Sequence, residues 1–396
     1  MASRRRRRSP RATPLDNDDL LSEILLRLPP QPSSLPRASL VCKRWRSLVS
    51  DPGFLRRFRV HHRRNPPLLG LFNTGFRKTS FVPTLMAPDR VPRGRFSLPW
   101  GDVSRFNLLN CRHGLVLISD ETQRQFIVWD PVTGDQHRVA VPAPLEINGA
   151  VLRAAGDVGH FQLQVVFVAT RNNGIEHGQE ALVCVYSSET GVWGNSISTP
   201  IPFGPSRSLF GTHISTKPAV LVGNSLYWTL TGFCSSSILE YDLEKQRLAV
   251  IQEPDYVCEY YFTVIRADSG GLGFLNLLEF TAQLWERKTD CDGVASWRLG
   301  RTIELDKLLH LNPPPIPGEY DDDEQDDKIR ILGFAEENNM VFVGTWMGLF
   351  AVQLQPLRFK RLSRTRSETT LHCHPLESVY TAGNSMLYNV GIMKSS

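Results

Sequence analysis

Apolar residues recur at Leu20, Leu21, Ile24, Leu25 and Leu28, a spacing that predicts an amphipathic helix of about two and a half turns. Asp16, Asn17, Asp18 and Asp19 precede it, offering a side-chain cap and negative charge at the positive end of the helix dipole, and Pro29-Pro30 stops it. A Pro/Ser connector, Gln31 to Pro36, leads to a second periodic segment. There Leu40, Val41, Trp45, Leu48 and Val49 face one way, and Lys43, Arg44 and Arg46 face another. Asp51-Pro52-Gly53 breaks this segment, and Phe54, Leu55 and Phe58 start a third short turn that runs into His61-His62-Arg63-Arg64. From about Leu68 the helical period gives way to short runs rich in Val, Ile, Phe, Tyr and Trp, separated by Gly, Asn, Asp and Pro. Gly114 to Ile118, Phe161 to Val168, Leu226 to Leu230 and Met340 to Val343 are examples of predicted strands.

The strand-rich region carries a repeat. An aromatic residue at a strand end, a polar turn and a return strand occur at Trp129-Asp130-Pro131-Val132-Thr133-Gly134, at Tyr186 to Gly191 and at Tyr241 to Lys245, with looser copies at Trp285 and Phe350. The intervals between these aromatic markers are 57, 55, 44 and 65 residues, and the last contains the Pro-acidic stretch 313–327. A period of about 50 residues with four strands per unit is the pattern of a kelch-like β-propeller, and 332 residues then make roughly six or seven blades. The irregular intervals leave a pair of β-sandwiches open. Each marker aromatic is expected to pack inside its own blade rather than to bind a ligand.

Helices spanning about 50 residues have too much surface for their volume to bury all these leucines and a tryptophan among themselves. Part of the apolar stripe therefore belongs to a partner, or to the rest of the chain if the helices form a cap. Two motifs decide between these. Asp19 to Pro29, then Val41-Cys42-Lys43-Arg44-Trp45-Arg46-Ser47-Leu48 with Asp51-Pro52-Gly53-Phe54, resemble the F-box of plant F-box proteins. The family usually begins this helix with Leu-Pro followed directly by acids; here Pro14 precedes Leu15 and Asp16 follows, and Leu35 stands for the leucine between the motifs. The resemblance implies docking on the Skp adaptor of a cullin-RING ubiquitin ligase. It also implies an adaptor-facing set of Leu20, Ile24, Leu28, Pro29, Val41, Cys42 and Trp45. The body resembles, more loosely, the β-propeller-like associated domains of the same proteins. The expected organisation is thus α+β and multidomain: a disordered basic tail at 1–14, a three-helix F-box at 15–64, and an all-β propeller at 65–396 with an acidic loop at 313–327.

Charge divides along the same lines. The chain of 396 residues has a net charge of +5, but residues 1–64 hold 16 basic and 5 acidic residues while the remainder is net negative. Seven acids in nine residues, Glu319 to Asp327, outweigh that negative balance, leaving the rest of the strand-rich body near neutrality with no field to steer it to nucleic acid. Arg4 to Arg8 reads as a nuclear import signal or as a solvated tail, so nucleus, cytoplasm or both are expected. No apolar run approaches bilayer length, so no membrane partner is expected. The seven scattered cysteines lack a C-x-x-C pair, and N-x-[ST] is absent, which fits a reducing compartment.

Catalytic signatures are missing. There is no phosphate-binding loop, zinc-protease helix or nucleophile elbow, and Gly271-Leu272-Gly273 lacks a third glycine. His372-Cys373-His374 and Cys111-Arg112-His113 alternate faces on predicted strands and have no second ligand pair, so no metal or cofactor is expected. The acidic run does not match a calcium loop. The reading is a non-enzymatic substrate receptor that holds a protein target for ubiquitination. A propeller scaffold and a propeller hydrolase are the alternatives.

Overall fold

The computed structural model describes residues 17–75, 79–96, 106–142, 147–153, 162–173, 178–202, 212–232, 235–252, 262–312, 329–364 and 370–381. The basic tail 1–14, Leu15 and the acidic stretch 313–327 lie outside them. The chain divides into two compact units. One comprises Met1–Pro67, Met86–Arg90 and Val379–Ser396; the other comprises Leu68–Leu85 and Val91–Ser378.

The first unit has four helices among the described residues, α1 (Asp18–Leu26), α2 (Ser34–Ser39), α3 (Lys43–Ser50) and α4 (Pro52–His61). Asn17 caps α1, its Oδ1 accepting from the N–H groups of Asp19 (2.8 Å) and Leu20 (3.2 Å). Asp51 caps α4 through the Phe54 N–H at 2.8 Å, with Pro52 in the first turn. The Pro/Ser connector thus holds a fourth helix, α2. It buries Leu35, Ala38 and Ser39 and ends before Leu40, so Leu40 and Val41 are not helical and Cys42 only caps α3. Leu21, Leu25, Leu26, Leu35, Ala38, Val49, Phe54, Phe58 and Val379 make the core of this unit.

The second unit is a six-bladed β-propeller. Its sequence starts with β1 (Leu68–Gly75) and β2 (Thr79–Pro83), then a 3-10 turn at Arg93–Phe96. Blade 1 is β3 (Phe106–Arg112), β4 (Leu115–Asp120), β5 (Gln125–Trp129) and β6 (Gln136–Ala140). Blade 2 is β7 (Ile147–Arg153), β8 (Leu163–Asn172) and β9 (Gln179–Ser187), with two short strands, β10 (Val192–Trp193) and β11 (Ile197–Ile201), both pairing with β9. Blade 3 has a broken inner strand, β12 (His213–Ile214) and β13 (Val220–Val222), both on β14 (Ser225–Gly232), then β15 (Ser235–Asp242) and β16 (Arg247–Gln252). Blade 4 is β17 (Phe262–Arg266), β18 (Leu272–Leu278), β19 (Thr281–Thr289) and β20 (Ala295–Glu304), followed by the short helix α5 (Leu305–Leu309). Blade 5 is β21 (Arg330–Ala335), β22 (Met340–Thr345), β23 (Gly348–Gln353) and β24 (Arg358–Ser363). The last strand, β25 (Thr370–Glu377), pairs with β1, which pairs with β2, so the sixth blade is built from both ends of the propeller sequence.

The five marker aromatics all stand on the third strand of their blades, Trp129 on β5, Tyr186 on β9, Tyr241 on β15, Trp285 on β19 and Phe350 on β23. Four are buried, and Trp285 stacks on Phe274 with ring centroids 5.8 Å apart. Hydrophobic clusters lie between neighbouring blades: Leu117, Phe126 and Phe167 between blades 1 and 2, Val166, Trp228 and Tyr241 between 2 and 3, and Leu332, Phe342 and Cys373 between 5 and 6. Alternating strand residues point to the two faces of a blade, so each blade is greasy on both sides and needs a neighbour on each.

The inner strands approach closely where blade 5 meets blade 6. A Cβ at Gly333 on β21 would collide with the carbonyl oxygen of Cys373 on β25. Gly333→Ala is expected to lower stability by about 1–3 kcal/mol through this overpacking, read from urea unfolding monitored by tryptophan fluorescence. Gly134→Ala, in open space at φ +88°, isolates the backbone penalty alone and serves as the comparison.

Candidate functional site

Two features of this molecule can meet a partner: an apolar surface on the helical unit and the central channel of the propeller. On α1 the five-residue stripe splits. Leu21 and Leu25 turn into the core with Leu26, whereas Leu20 and Ile24 stay 50 % and 41 % exposed. Leu40 and Val41, between α2 and α3, are 70 % and 61 % exposed, and Cys42 is exposed beside them. Arg44 at the start of α3 donates from Nε to Asp18 Oδ1 at the start of α1 (2.7 Å), which draws these two helix ends together. The predicted set therefore divides. Leu20, Ile24, Val41, Cys42 and Pro29 are at the surface, while Leu28 and Trp45 pack partly against the unit's own core. Leu40, more exposed than Leu20, Ile24 or Val41, was grouped by its spacing with Val41 and Trp45 on one face of a helix that starts only at Lys43, and was not counted in the adaptor-facing set.

Beneath α1 the helical unit is closed by polar ties. Arg57 donates to Glu23 Oε1 (2.5 Å) and to Ser22 Oγ (3.2 Å), and a His62 ring nitrogen meets the Leu26 carbonyl at 2.9 Å. Burial pulls the His62 pKa below its ordinary value, more strongly than the carbonyl contact raises it. Neutral His62 thus donates one hydrogen bond to the end of α1, where carbonyls lack helical partners.

The propeller channel is polar at its centre. Arg112, the last residue of β3, donates from Nε to Glu336 Oε2 (2.9 Å) and from Nη2 both to Glu336 Oε1 and to the Ala219 carbonyl (2.8 Å). Glu336 Oε1 also accepts from the Leu221 N–H at 2.9 Å. Both side chains are nearly sealed, 3 % and 11 % exposed, so one buried ion pair links blades 1, 3 and 5. Close by on β25, Glu377 accepts from the N–H groups of Glu337 (3.2 Å) and Asn338 (2.8 Å) and from the Asn338 side chain (2.7 Å). Burial raises the Glu377 pKa to about 7 against these hydrogen bonds, with Glu336 adding repulsion. Cys111 sits in the same environment, and burial followed by the two glutamates pushes its thiol up, away from thiolate chemistry.

At the other end of the inner strands the side chains change sign. Thr216 Oγ1 meets His372 Nε2 at 2.7 Å across the ring, between blades 3 and 6. Lys217 donates to the Phe262 carbonyl at 2.6 Å and lies 5.5 Å from that ring's centroid, and Asn148 Nδ2 holds the Ser215 and Lys217 carbonyls at 2.7 and 2.9 Å. Arg330 opens β21 at the same end. The cavity lined by Lys217, Thr263, Ile331 and Gly333 has a volume of about 20 Å³, room for one water and for no metabolite. Among the described residues no group of three His, Cys, Asp or Glu side chains converges as a metal site.

The Trp129 turn serves structure. Asp130 Oδ1 accepts from the Val132 and Thr133 N–H groups (2.9 and 3.2 Å), and its Oδ2 accepts from Arg153 Nη2 (3.1 Å). Arg153 also donates to the His113 carbonyl at 2.9 Å, so this turn binds blade 1 to the inner strand of blade 2.

Two expectations follow from these buried charges. Arg112→Met leaves Glu336 buried and unpaired, and should cost about 3–5 kcal/mol in urea unfolding, most of it recovered in the Arg112→Met/Glu336→Met double variant. The second concerns His374, whose pKa burial lowers from 6.5 to about 3, with His372 adding repulsion. A lowered folded-state pKa stabilises above the unfolded value and is lost as pH falls below it. Between pH 7 and pH 5, His374 should therefore cost about 2 kcal/mol, while Glu377, with its raised pKa, pulls the other way by about as much, so the effect is read against a variant rather than from the wild type alone. The stability difference between wild type and His374→Gln should shrink by that amount over this interval.

Comparison with known proteins places both units. Residues 17–57 match the F-box domain, and residues 107–381 match the β-propeller of "F-box protein AT5G49610-like". The Arabidopsis thaliana F-box protein At3g26010 is 30 % identical over 326 residues, covering 76 % of this chain and 70 % of that protein. F-box protein At5g07610 of the same plant is 24 % identical over 347 residues, covering 81 % and 78 %. A putative F-box/kelch-repeat protein, At1g15680, is 27 % identical over 310 residues, covering 73 % and 72 %. The chain belongs to the F-box proteins that carry an AT5G49610-like β-propeller.

Proposed function

We propose that this protein is a substrate-recognition subunit of a Skp-cullin-F-box ubiquitin ligase. The observation that carries the reading is the exposure of Leu20, Ile24, Leu40 and Val41 on a unit that has a complete core without them. Large apolar side chains grouped on a surface mark a protein interface. In an F-box, that interface is the one with the Skp adaptor, and Leu20, Ile24, Pro29, Val41 and Cys42 are its surface members here. Leu28 and Trp45 support them from beneath. The propeller then presents a protein target to the conjugating enzyme recruited through the cullin.

On this reading the chain catalyses no bond change. Its contribution is effective concentration: a target lysine held near a charged conjugating enzyme reacts as if the step were intramolecular. Three buried groups that could do acid-base or nucleophilic work are committed to structure. Cys111 and Cys373 are held as thiols by burial, and both oxygens of Glu377 accept backbone hydrogen bonds.

The test is co-purification of the full chain with the Skp adaptor. Ile24→Asp and Val41→Asp alter exposed positions, so unfolding midpoints should stay near wild type while adaptor affinity falls at least tenfold for each. Unchanged affinity in the double variant would overturn the reading and favour a scaffold whose helical unit binds no adaptor.

A further inference from the structure

The two ends of the channel differ in how their charges are used. At the end bearing Glu336 and Glu377, both carboxylates are met by donors, the first by Arg112 and Leu221 and the second by Glu337 and Asn338. At the opposite end stand Lys217 of blade 3, Arg330 of blade 5 and His372 of blade 6. The Arg330 side chain has no hydrogen-bond or ion-pair partner among the described residues, and His372 Nδ1 is buried without one. Arg330 and His372 stand near the starts of β21 and β25, which pack together at Gly333 and Cys373, and Thr216, bonded to His372 Nε2, adjoins Lys217, which places the three side chains in one neighbourhood. The Thr216 hydroxyl bonded to His372 adds a neutral donor and acceptor there.

We propose that this rim of the channel binds an anionic side-chain group on the protein target, a carboxylate or a phosphate, with Arg330 as the principal contact. The proposal rests on the substrate-receptor reading and names the chemistry that the receptor recognises. Three features favour a group presented from outside over a swallowed small molecule. The cavity beneath Lys217 holds about 20 Å³, too little for a metabolite. Thr216 is exposed and Lys217 and Arg330 are half-buried, so a group presented from outside meets them first, while the His372 ring lies deeper with its Nδ1 sealed from solvent. The segment carrying Thr216 and Lys217 is the break between β12 and β13, where, among the described residues, the inner strand of blade 3 is interrupted. Asn148 holds both carbonyls of that break, and Lys217 is pinned to Phe262, so the donors are preorganised rather than gathered on binding. A guanidinium suits either anion, because its parallel N–H groups match two oxygens of a carboxylate or a phosphate.

The bland alternative is general attraction of acidic peptides to any basic surface. The outer strand β24 supplies the control, since Arg358, Lys360 and Arg361 make it basic without belonging to the channel. The experiment uses the full chain bound to its Skp adaptor and three fluorescein-labelled peptides of equal length: a Gly-Glu repeat, a Gly-phosphoserine repeat and a Gly-Lys repeat. Anisotropy titrations should give saturable binding of at least one anionic peptide and none of the Gly-Lys peptide. The tighter of the two anionic peptides identifies the source of the charge. Arg330→Gln should weaken binding at least tenfold, Arg330→Gln/His372→Gln further, and Arg358→Gln by less than twofold. Equal loss in Arg330→Gln and Arg358→Gln, or failure of both anionic peptides to bind, would overturn the proposal. Adaptor co-elution is read in the same samples, so a failed rim and a failed receptor assignment give different results.

Discussion

The pairing of β25 with β1 is the constraint on which the propeller depends. Each blade has two apolar faces, and a row of five would leave one such face bare at each end. The sixth blade covers both, and it exists only because residues 370–377 pair with residues 68–75 in register from Leu68 opposite Glu377 to Gly75 opposite Thr370. This joins segments about as far apart in sequence as the propeller permits, so the loop-closure entropy is met late, after local hairpins have formed. The closing strand is accordingly well secured. Thr74 Oγ1 donates to the His372 carbonyl at 3.0 Å, Cys373 is sealed against Leu332 and Phe342, and Glu377 fastens the turn after β21.

Ring closure also explains the buried ion pair. Hydrophobic contact between neighbouring blades is nondirectional and would tolerate small rotations of one blade on the next. The Arg112–Glu336 pair with the Ala219 and Leu221 backbone groups joins alternate blades, 1, 3 and 5, and has one satisfactory geometry. An ion pair this buried adds little net stability over an apolar substitute. Its value is in register: three inner strands that are not neighbours are held at fixed heights along the channel. The break in blade 3 is tolerated for the same reason, since Asn148 and Arg112 between them take up the Ser215, Lys217 and Ala219 carbonyls that an unbroken strand would have paired.

Much of this was legible in the sequence because local spacing reports local structure. Trp129, Tyr186, Tyr241, Trp285 and Phe350 marked five blades since the third strand packs on both neighbours within its blade, where an aromatic residue is well accommodated. The sixth blade carries no marker. It is assembled from two distant segments, and no window along the chain contains it. The same limit explains the helical unit: five apolar residues on α1 looked like one stripe, but only tertiary contacts separate Leu21 and Leu25, facing Phe54 and Phe58 in the core, from Leu20 and Ile24 at the surface. α2 was hidden by its composition, because Pro32, Ser33, Ser34 and Pro36 read as a connector, whereas packing of Leu35 and Ala38 overrides that weak propensity. Arg112 and Glu336, 224 residues apart, had no sequence signal at all. His372-Cys373-His374 looked like candidate ligands on alternating faces, and the alternation holds: Cys373 enters the core between blades, and His372 reaches the channel.

Charge placement then separates what the fold needs from what remains for recognition. Where a charged group is required for the ring it is buried and paired, as at Glu336, which Arg112 meets through Nε and Nη2, and at the Asp130–Arg153 pair. Groups answered in this way have little interaction energy left for a ligand, since new contacts would have to replace existing ones of similar strength. The Arg330 side chain is different, being positioned by an inner strand that the ring already fixes and having no side-chain partner among the described residues. A rigid scaffold with unanswered donors loses little entropy on binding, which is the condition under which a few polar contacts give useful affinity. The exposed leucine and valine side chains of the helical unit follow the same logic in apolar form, because the core beneath them is complete and their burial is left for a partner to supply.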